Sequence, residues 1–248
     1  MYFLAIETTG AFASVALLEE GRVLEHIQGH DRFSHLQNLM PQVKEVLEYH
    51  KLSINDINAI AVSKGPGSFT GIRIGVSSSR ALCQVLGIPG IPVSSLEALA
   101  MRAADLPDIQ NTLICPILDA RRSQVYGGGY RLKDGYPVET VRGGAYTVEE
   151  FLSKTEEYDR ILLLGDGMDA YGEKIAEARR DTGKESLFAP EDIRYQDAVT
   201  VGMLGAKLLQ EGAGVSYQEL LPDYMRQAEA ERKLAEKQAA EAAKQAGE

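Results

Sequence analysis

Residues 62–75 read Val-Ser-Lys-Gly-Pro-Gly-Ser-Phe-Thr-Gly-Ile-Arg-Ile-Gly, and no other stretch constrains the fold as strongly. An apolar run, Ile57 to Val62, feeds Gly65, Gly67, Gly71 and Gly75, and a helical pattern, Ile72 to Leu86, follows. Glycine at a strand-to-helix junction lets backbone approach backbone, or a ligand, where a Cβ would collide. Ser68 or Thr70 can cap the helix, and Gly87 ahead of Ile88-Pro89 can close it. A P-loop ends in Gly-Lys-Ser/Thr, whereas this loop ends Thr70-Gly71-Ile72. A dinucleotide fingerprint is GxGxxG, and the spacing here is one residue longer. The remaining reading is packing. Gly71 and Gly75 share a helical face that Ser78, Ser79 and Leu82 continue, and such a face admits another helix at short range. That helix belongs either to the same domain or to another subunit.

The chain has 248 residues and is 44% hydrophobic, enough for one large or two small domains with a sizeable core. No apolar run reaches membrane-spanning length, and Met1-Tyr2-Phe3-Leu4 enters a strand-like segment without the pattern of a signal peptide. Cys83 and Cys115 lie in apolar runs far apart, as buried reduced thiols do, and no Cys/His cluster has zinc spacing. A cytoplasmic protein with no metal is expected. The net charge of −10 argues against gripping nucleic acid alone, so a role at RNA requires a more basic partner.

Residues 2–7, 12–18 and 22–28 read as strands joined by tight turns. A helix over 34–50 follows, with Leu36, Leu39, Met40, Val43, Val46 and Leu47 at helical spacing and Ser34 with Gln37 as a capping box. Pro41 either kinks that helix or marks a later start. Then come strand 57–63, helix 71–86, strand 91–94 and helix 95–104, the last opened by a Ser94/Glu97 capping box. After a boundary at Asp105 to Asn111 the theme recurs: strands 113–118, 124–132 and 138–142, helix 147–154, strand 161–164, and helices 169–180 and 195–210. Two halves, 1–105 and 106–226, each begin with three strands and continue as αβα, with a last helix that can pack back on the first half. Residues 227–248 form a polar Ala/Glu/Lys-rich tail. Such alternation implies parallel sheet covered by helices. A duplicated α/β unit of this kind is the pattern of the actin/sugar-kinase/Hsp70 (ASKHA) superfamily.

Five segments in order resemble the TsaB (YeaZ) family. They are Leu4-Ala5-Ile6-Glu7-Thr8, the start of the first helix around His35, Lys64 to Gly75, Leu118-Asp119-Ala120-Arg121 with Val125-Tyr126, and Pro222-Asp223-Tyr224-Met225-Arg226. The resemblance implies a non-catalytic subunit that pairs with TsaD, the tRNA threonylcarbamoyltransferase, alongside the ATPase TsaE. Together these form N6-threonylcarbamoyladenosine beside the anticodon of tRNAs reading ANN codons. It further implies a homodimer in isolation and tRNA contact only through the complex. The partner interface would be built from the first two helices: Leu36, Leu39, Met40, Val43 and Leu47, with Gly71, Ile72, Gly75, Ser78, Ser79 and Leu82. On that reading Gly75→Leu breaks association and leaves the fold intact.

The catalytic paralogue TsaD carries HxxxH on a helix, a pair suited to a metal. The corresponding positions here are Ser95 and Leu99, so no catalytic residues and no metal are expected. Surface or capping roles are expected for His26, His30, His35 and His50. The alternative function is an ATP-dependent small-molecule kinase of the same superfamily. Such enzymes place an acidic residue and a glycine-rich turn after the first strand of each half. Glu7-Thr8-Thr9-Gly10 keeps a version of the first turn; Asp119-Ala120-Arg121-Arg122 lacks glycine; Gly165-Asp166-Gly167 could touch an adenosine. These are candidates for weak or interface-shared ATP or ADP, with no cofactor tightly bound. Arg73, Arg121 and Arg122 are candidates for phosphate contacts, with solvated or salt-bridged roles as the alternative.

Overall fold

The structure, a computed structural model, describes residues 1–29 and 34–225. The first half comprises β1 (Tyr2–Glu7), β2 (Ser14–Glu19), β3 (Arg22–Gln28), α1 (His35–Tyr49), β4 (Ile57–Gly65), α2 (Phe69–Leu86), β5 (Gly90–Ser94) and α3 (Ser95–Met101). The second comprises β6 (Leu113–Asp119), β7 (Gln124–Lys133), β8 (Tyr136–Thr147), α4 (Val148–Lys154), β9 (Arg160–Leu164), α5 (Gly167–Arg180), β10 (Glu185–Phe188) and α6 (Ala198–Gln210). Each half builds a five-stranded sheet, ordered β3-β2-β1-β4-β5 and β10-β9-β6-β7-β8. In both, three strands meander antiparallel and two more join parallel to the first. The repeat is therefore one of topology, strand for strand.

The strand residues alternate between two cores. Leu4, Ile6, Val15 and Leu17 face Leu39, Val43, Ile72 and Val76 of α1 and α2. On the opposite face, Ala5, Ala16, Ala59 and Ala61 meet Ala198, Val201 and Leu204 of α6. Small residues on that face let α6 lie close against the sheet, so the last helix of the second half covers the first half's strands. In return, Leu96, Leu99 and Ala100 of α3 join Ile114, Leu118, Tyr130 and Leu162 of the second sheet. The remaining face of that sheet packs on α4 and α5 through Ile117, Phe151, Leu163 and Ile175. Arg102 and Asp197, both largely buried, form a close ion pair where α3 ends and α6 begins.

Several boundaries differ from the sequence reading. Helix α1 runs through Pro41, so no later start is used; Pro41 is exposed, where the carbonyl it leaves unbonded can reach water. Ser34 makes no side-chain cap bond because its backbone is not in the extended form that aims the hydroxyl at the helix. Ser94 is extended, and its Oγ accepts from Glu97 N at 3.4 Å. Strand β8 continues to Thr147, past Gly143-Gly144, because those glycines lie opposite the glycine run of β7. Strand β10 was missed: four residues give no readable alternation, and parallel pairing with β9 creates the strand. Both cysteines are buried and free, and burial pushes the Cys83 thiol up to about 11.

Arg102→Ala leaves the Asp197 carboxylate buried without its cation. We expect a loss of about 3 kcal/mol in urea denaturation, the range for breaking one side of a buried pair.

Candidate functional site

The first strand ends in a closed turn. Glu7 is fully buried, and its Oε1 accepts from Thr9 N, from Thr9 Oγ1 at 2.6 Å and from Gly10 N at 3.3 Å. Its Oε2 accepts from Ser63 Oγ on β4. Thr9 Oγ1 also lies 3.1 Å from Ser95 Oγ, and Thr9 O accepts from Ser68 N at 2.9 Å. A Cβ built on Gly10 would stand 2.9 Å from Gln196 Oε1, so the Gln196 side chain fills the space beside it. The turn's N–H groups thus already serve the chain's own carboxylate, which occupies the role a phosphate would take. Burial raises the Glu7 carboxyl above its ordinary range, and the Ser63, Thr9 and Gly10 donors offset this only in part. The residues present do not fit a phosphate grip here. Thr8, the other candidate in the turn, donates instead to Gly71 O at 2.7 Å.

The second cluster gathers Asp119, Gly165, Asp166 and Gly167. Asp119 N donates to Asp166 Oδ1 at 3.0 Å, and Asp119 Oδ1 accepts from Arg121 N at 2.8 Å and Tyr171 Oη at 3.4 Å. Gly165, at φ 98°, and Gly167 both lie against the Ile117 backbone, which a Cβ would strike. Both glycines are used to pack the β9–α5 turn on β6.

Ser95 and Leu99, at the two histidine positions of HxxxH, are fully buried. Among the described residues no group of three or more His, Cys, Asp or Glu could hold a metal ion. The surface or capping reading of the histidines is corrected at two positions. His35 is buried, with a backbone hydrogen bond to Gly10, because the start of α1 packs under the first turn. His26 is partly buried and lies 2.8 Å from Ser14 Oγ. His50 caps the C-terminus of α1, and His30 lies outside the described residues.

The glycine loop packs within the chain. A Cβ on Gly71 or Gly75 would collide with Thr8, so the close neighbour is the end of β1 and not a second helix. Ser68 Oγ accepts from Gly71 N at 3.3 Å and opens α2, while Gly87, at φ 66°, closes it. Over the loop lies the segment after α6, which sequence reasoning matched but gave no job. Asp223 N donates to Lys64 O at 2.8 Å and its carboxylate pairs with Lys64 Nζ at 3.4 Å. Tyr224 Oη accepts from Arg73 Nε at 3.1 Å, and its ring stacks on Phe69 at 4.8 Å.

The expected interface list divides in two. Leu39, Val43, Leu47 and Ile72 belong to the monomer core, and Gly71, Gly75 and Ser79 are buried with them. Burying each large apolar side chain stabilises the fold by about 1.5–3 kcal/mol, so the i, i+3, i+4 stripe marks the face turned to the chain's own sheet. Ser78 and Leu82 are half-buried. Leu36 and Met40 stay exposed, at 73% and 42%, together with Tyr49 and Val85, at 75% and 84%. Leu36 and Met40 belong to the same helical stripe as Leu39 and Val43, so spacing alone carried no signal that separates the exposed pair from the core.

Gly75→Leu is accordingly expected to unfold the chain, lowering Tm by at least ~10 °C, and not merely to break association; a melting curve decides. Glu7 binds its proton more tightly folded than unfolded, so its contribution is complete below the ordinary 4.5 and is lost as pH rises through the folded value. Denaturation from about pH 4 to 8 should show this decline, and Glu7→Gln should flatten it.

The model of the family described as TsaD, tRNA N6-adenosine threonylcarbamoyltransferase, matches residues 32–234. The tRNA threonylcarbamoyladenosine biosynthesis protein TsaB of Bacillus subtilis is 34% identical over 239 residues, 96% of this chain and 100% of that one. The protein of the same name in Escherichia coli is 30% identical over 94% of this chain and 98% of its own. The solved structure of YeaZ from Pseudomonas aeruginosa superposes with a TM-score of 0.78 at 28% identity, covering 90% of this chain and 99% of that one. A ROK hexokinase from Thermus thermophilus shares the fold alone, with a TM-score of 0.50 at 12% identity over 86% of this chain and 100% of its own. With its duplicated ASKHA fold and end-to-end similarity to these relatives, the chain belongs to the TsaB (YeaZ) family.

Proposed function

We propose that this chain is a non-catalytic subunit that pairs with a TsaD-type transferase. The complex forms N6-threonylcarbamoyladenosine beside the anticodon of tRNAs reading ANN codons, in the cytoplasm. The observation that carries this reading is the exposure of Leu36, Met40, Tyr49 and Val85 on α1 and α2, two helices that touch each other. Of these, Leu36 and Met40 lie four residues apart on one face of α1, and neighbouring large apolar side chains left exposed mark an interaction surface. The family model that matches this chain is that of TsaD itself, so such a partner shares the fold and can present the equivalent helices. Two like folds meeting through like helices make a pseudo-symmetric pair, and a homodimer is the same contact made by two copies. Support for a non-catalytic role comes from Ser95 and Leu99, since a buried leucine has no lone pair for a metal.

On this reading ATP hydrolysis belongs to a TsaE-like ATPase, and tRNA is met through the complex. ATP or ADP, where held at all, is shared at an interface whose phosphate grip a partner supplies, because the Glu7 turn is closed by its own carboxylate. The same closure opposes the kinase alternative.

The test is reconstitution with TsaD, TsaE, threonylcarbamoyl-adenylate, ATP and unmodified tRNA, omitting each protein in turn. Product should require this chain, which alone makes none. Leu36→Asp with Met40→Asp should lower product at least tenfold and abolish pairing with TsaD in gel filtration, with Tm unchanged within about 3 °C. A charged double variant that still pairs would place the interface elsewhere.

A further inference from the structure

The turn between β6 and β7 holds three successive non-glycine residues in the left-handed region: Arg121 at φ 63°, Arg122 at φ 55° and Ser123 at φ 60°. Side chains bearing a Cβ adopt this region rarely and at a cost, while glycine enters it freely and asparagine more readily than most. Were the shape of the turn the whole requirement, glycine or asparagine would meet it. The sequence instead keeps two adjacent arginines there, in a chain of net charge −10.

The surroundings hold the turn in place. Arg121 N donates to Asp119 Oδ1 at 2.8 Å, Ala120 N donates to Gln124 O at 3.0 Å, and Gln124 N donates to Arg121 O at 3.2 Å. Asp119 is itself anchored through its N–H to Asp166 Oδ1, at 3.0 Å. The side chains point outward: the Arg121 side chain is 80% exposed, and Arg122 and Ser123 are exposed too. Asp119 Oδ2 takes one corner of the Arg121 guanidinium, Nη1 at 3.1 Å, and so orients a group that has five N–H donors. Strain persists where surrounding contacts over-determine it, and such outliers concentrate at binding sites.

We propose that the Arg121–Ser123 turn contacts the phosphate backbone of an RNA. The guanidinium fork matches phosphate geometry, and an RNA gives the two neighbouring arginines successive phosphates to meet. The proposal rests on the reading of this chain as a subunit of a tRNA-modifying complex, which supplies the remaining basic surface.

The experiment uses the assembled complex with TsaD and TsaE and an unmodified tRNA. Arg121→Gly with Arg122→Gly removes both charges and relieves the backbone. This variant should melt at or above the wild-type Tm, pair normally with TsaD, and bind tRNA several-fold more weakly. Its slope of log affinity against log salt should be shallower by about one for each phosphate that the arginines no longer neutralise. Arg121→Lys with Arg122→Lys should restore most of the slope. A lower Tm for the glycine variant would show that the arginines serve the fold, and an unchanged affinity and slope would show that they touch no phosphate; either result overturns the proposal. Failure of the functional reading looks different: product would form without the wild-type chain.

Discussion

The close approach of α2 to the end of β1 governs the first half of this molecule. Gly71 and Gly75 present bare backbone to Thr8, whose hydroxyl donates to Gly71 O. One turn of helix is thereby pinned to the first strand with no side chain between them. The loop before the helix folds down on the Glu7 turn through Ser68 N and Thr9 O, and the outer face of α2 is set beside α1. The same packing therefore closes the Glu7 turn and sets α1 and α2 side by side.

What closes is the place where a kinase of this fold would seat a phosphate. The backbone donors that could bind an anion are present, but they point at Glu7, a carboxylate delivered by the strand itself. Gln196 fills the remaining space beside Gly10. On the exposed sides of α1 and α2, Leu36, Met40 and Val85 remain as large apolar side chains in contact with solvent.

Much of the fold was legible in the residues. The alternation of strands and helices and the turn after each first strand sufficed for a duplicated α/β unit, because period 2 and period 3.6 are local properties. The capping of α2 by Ser68 and Gly87 was equally local. Strand β10 and the full length of β8 were not, since pairing across the sheet creates both. The candidate site was legible in its residues and illegible in its directions. Leu39 and Leu36 look alike in a helical repeat, yet one is core and the other is 73% exposed.

From its sequence alone this chain is an ASKHA-type protein of the TsaB family lacking the histidine pair of the transferase, because motif identity and order are carried by the residues themselves. Tertiary structure alone decided that the glycines serve the strand and not a second subunit. It also decided that Glu7 is spent inside its own turn and that the last segment clamps the loop through Asp223 and Tyr224. These are contacts between residues far apart in the chain, and which partner a close-packing face receives is settled only when the whole core is assembled.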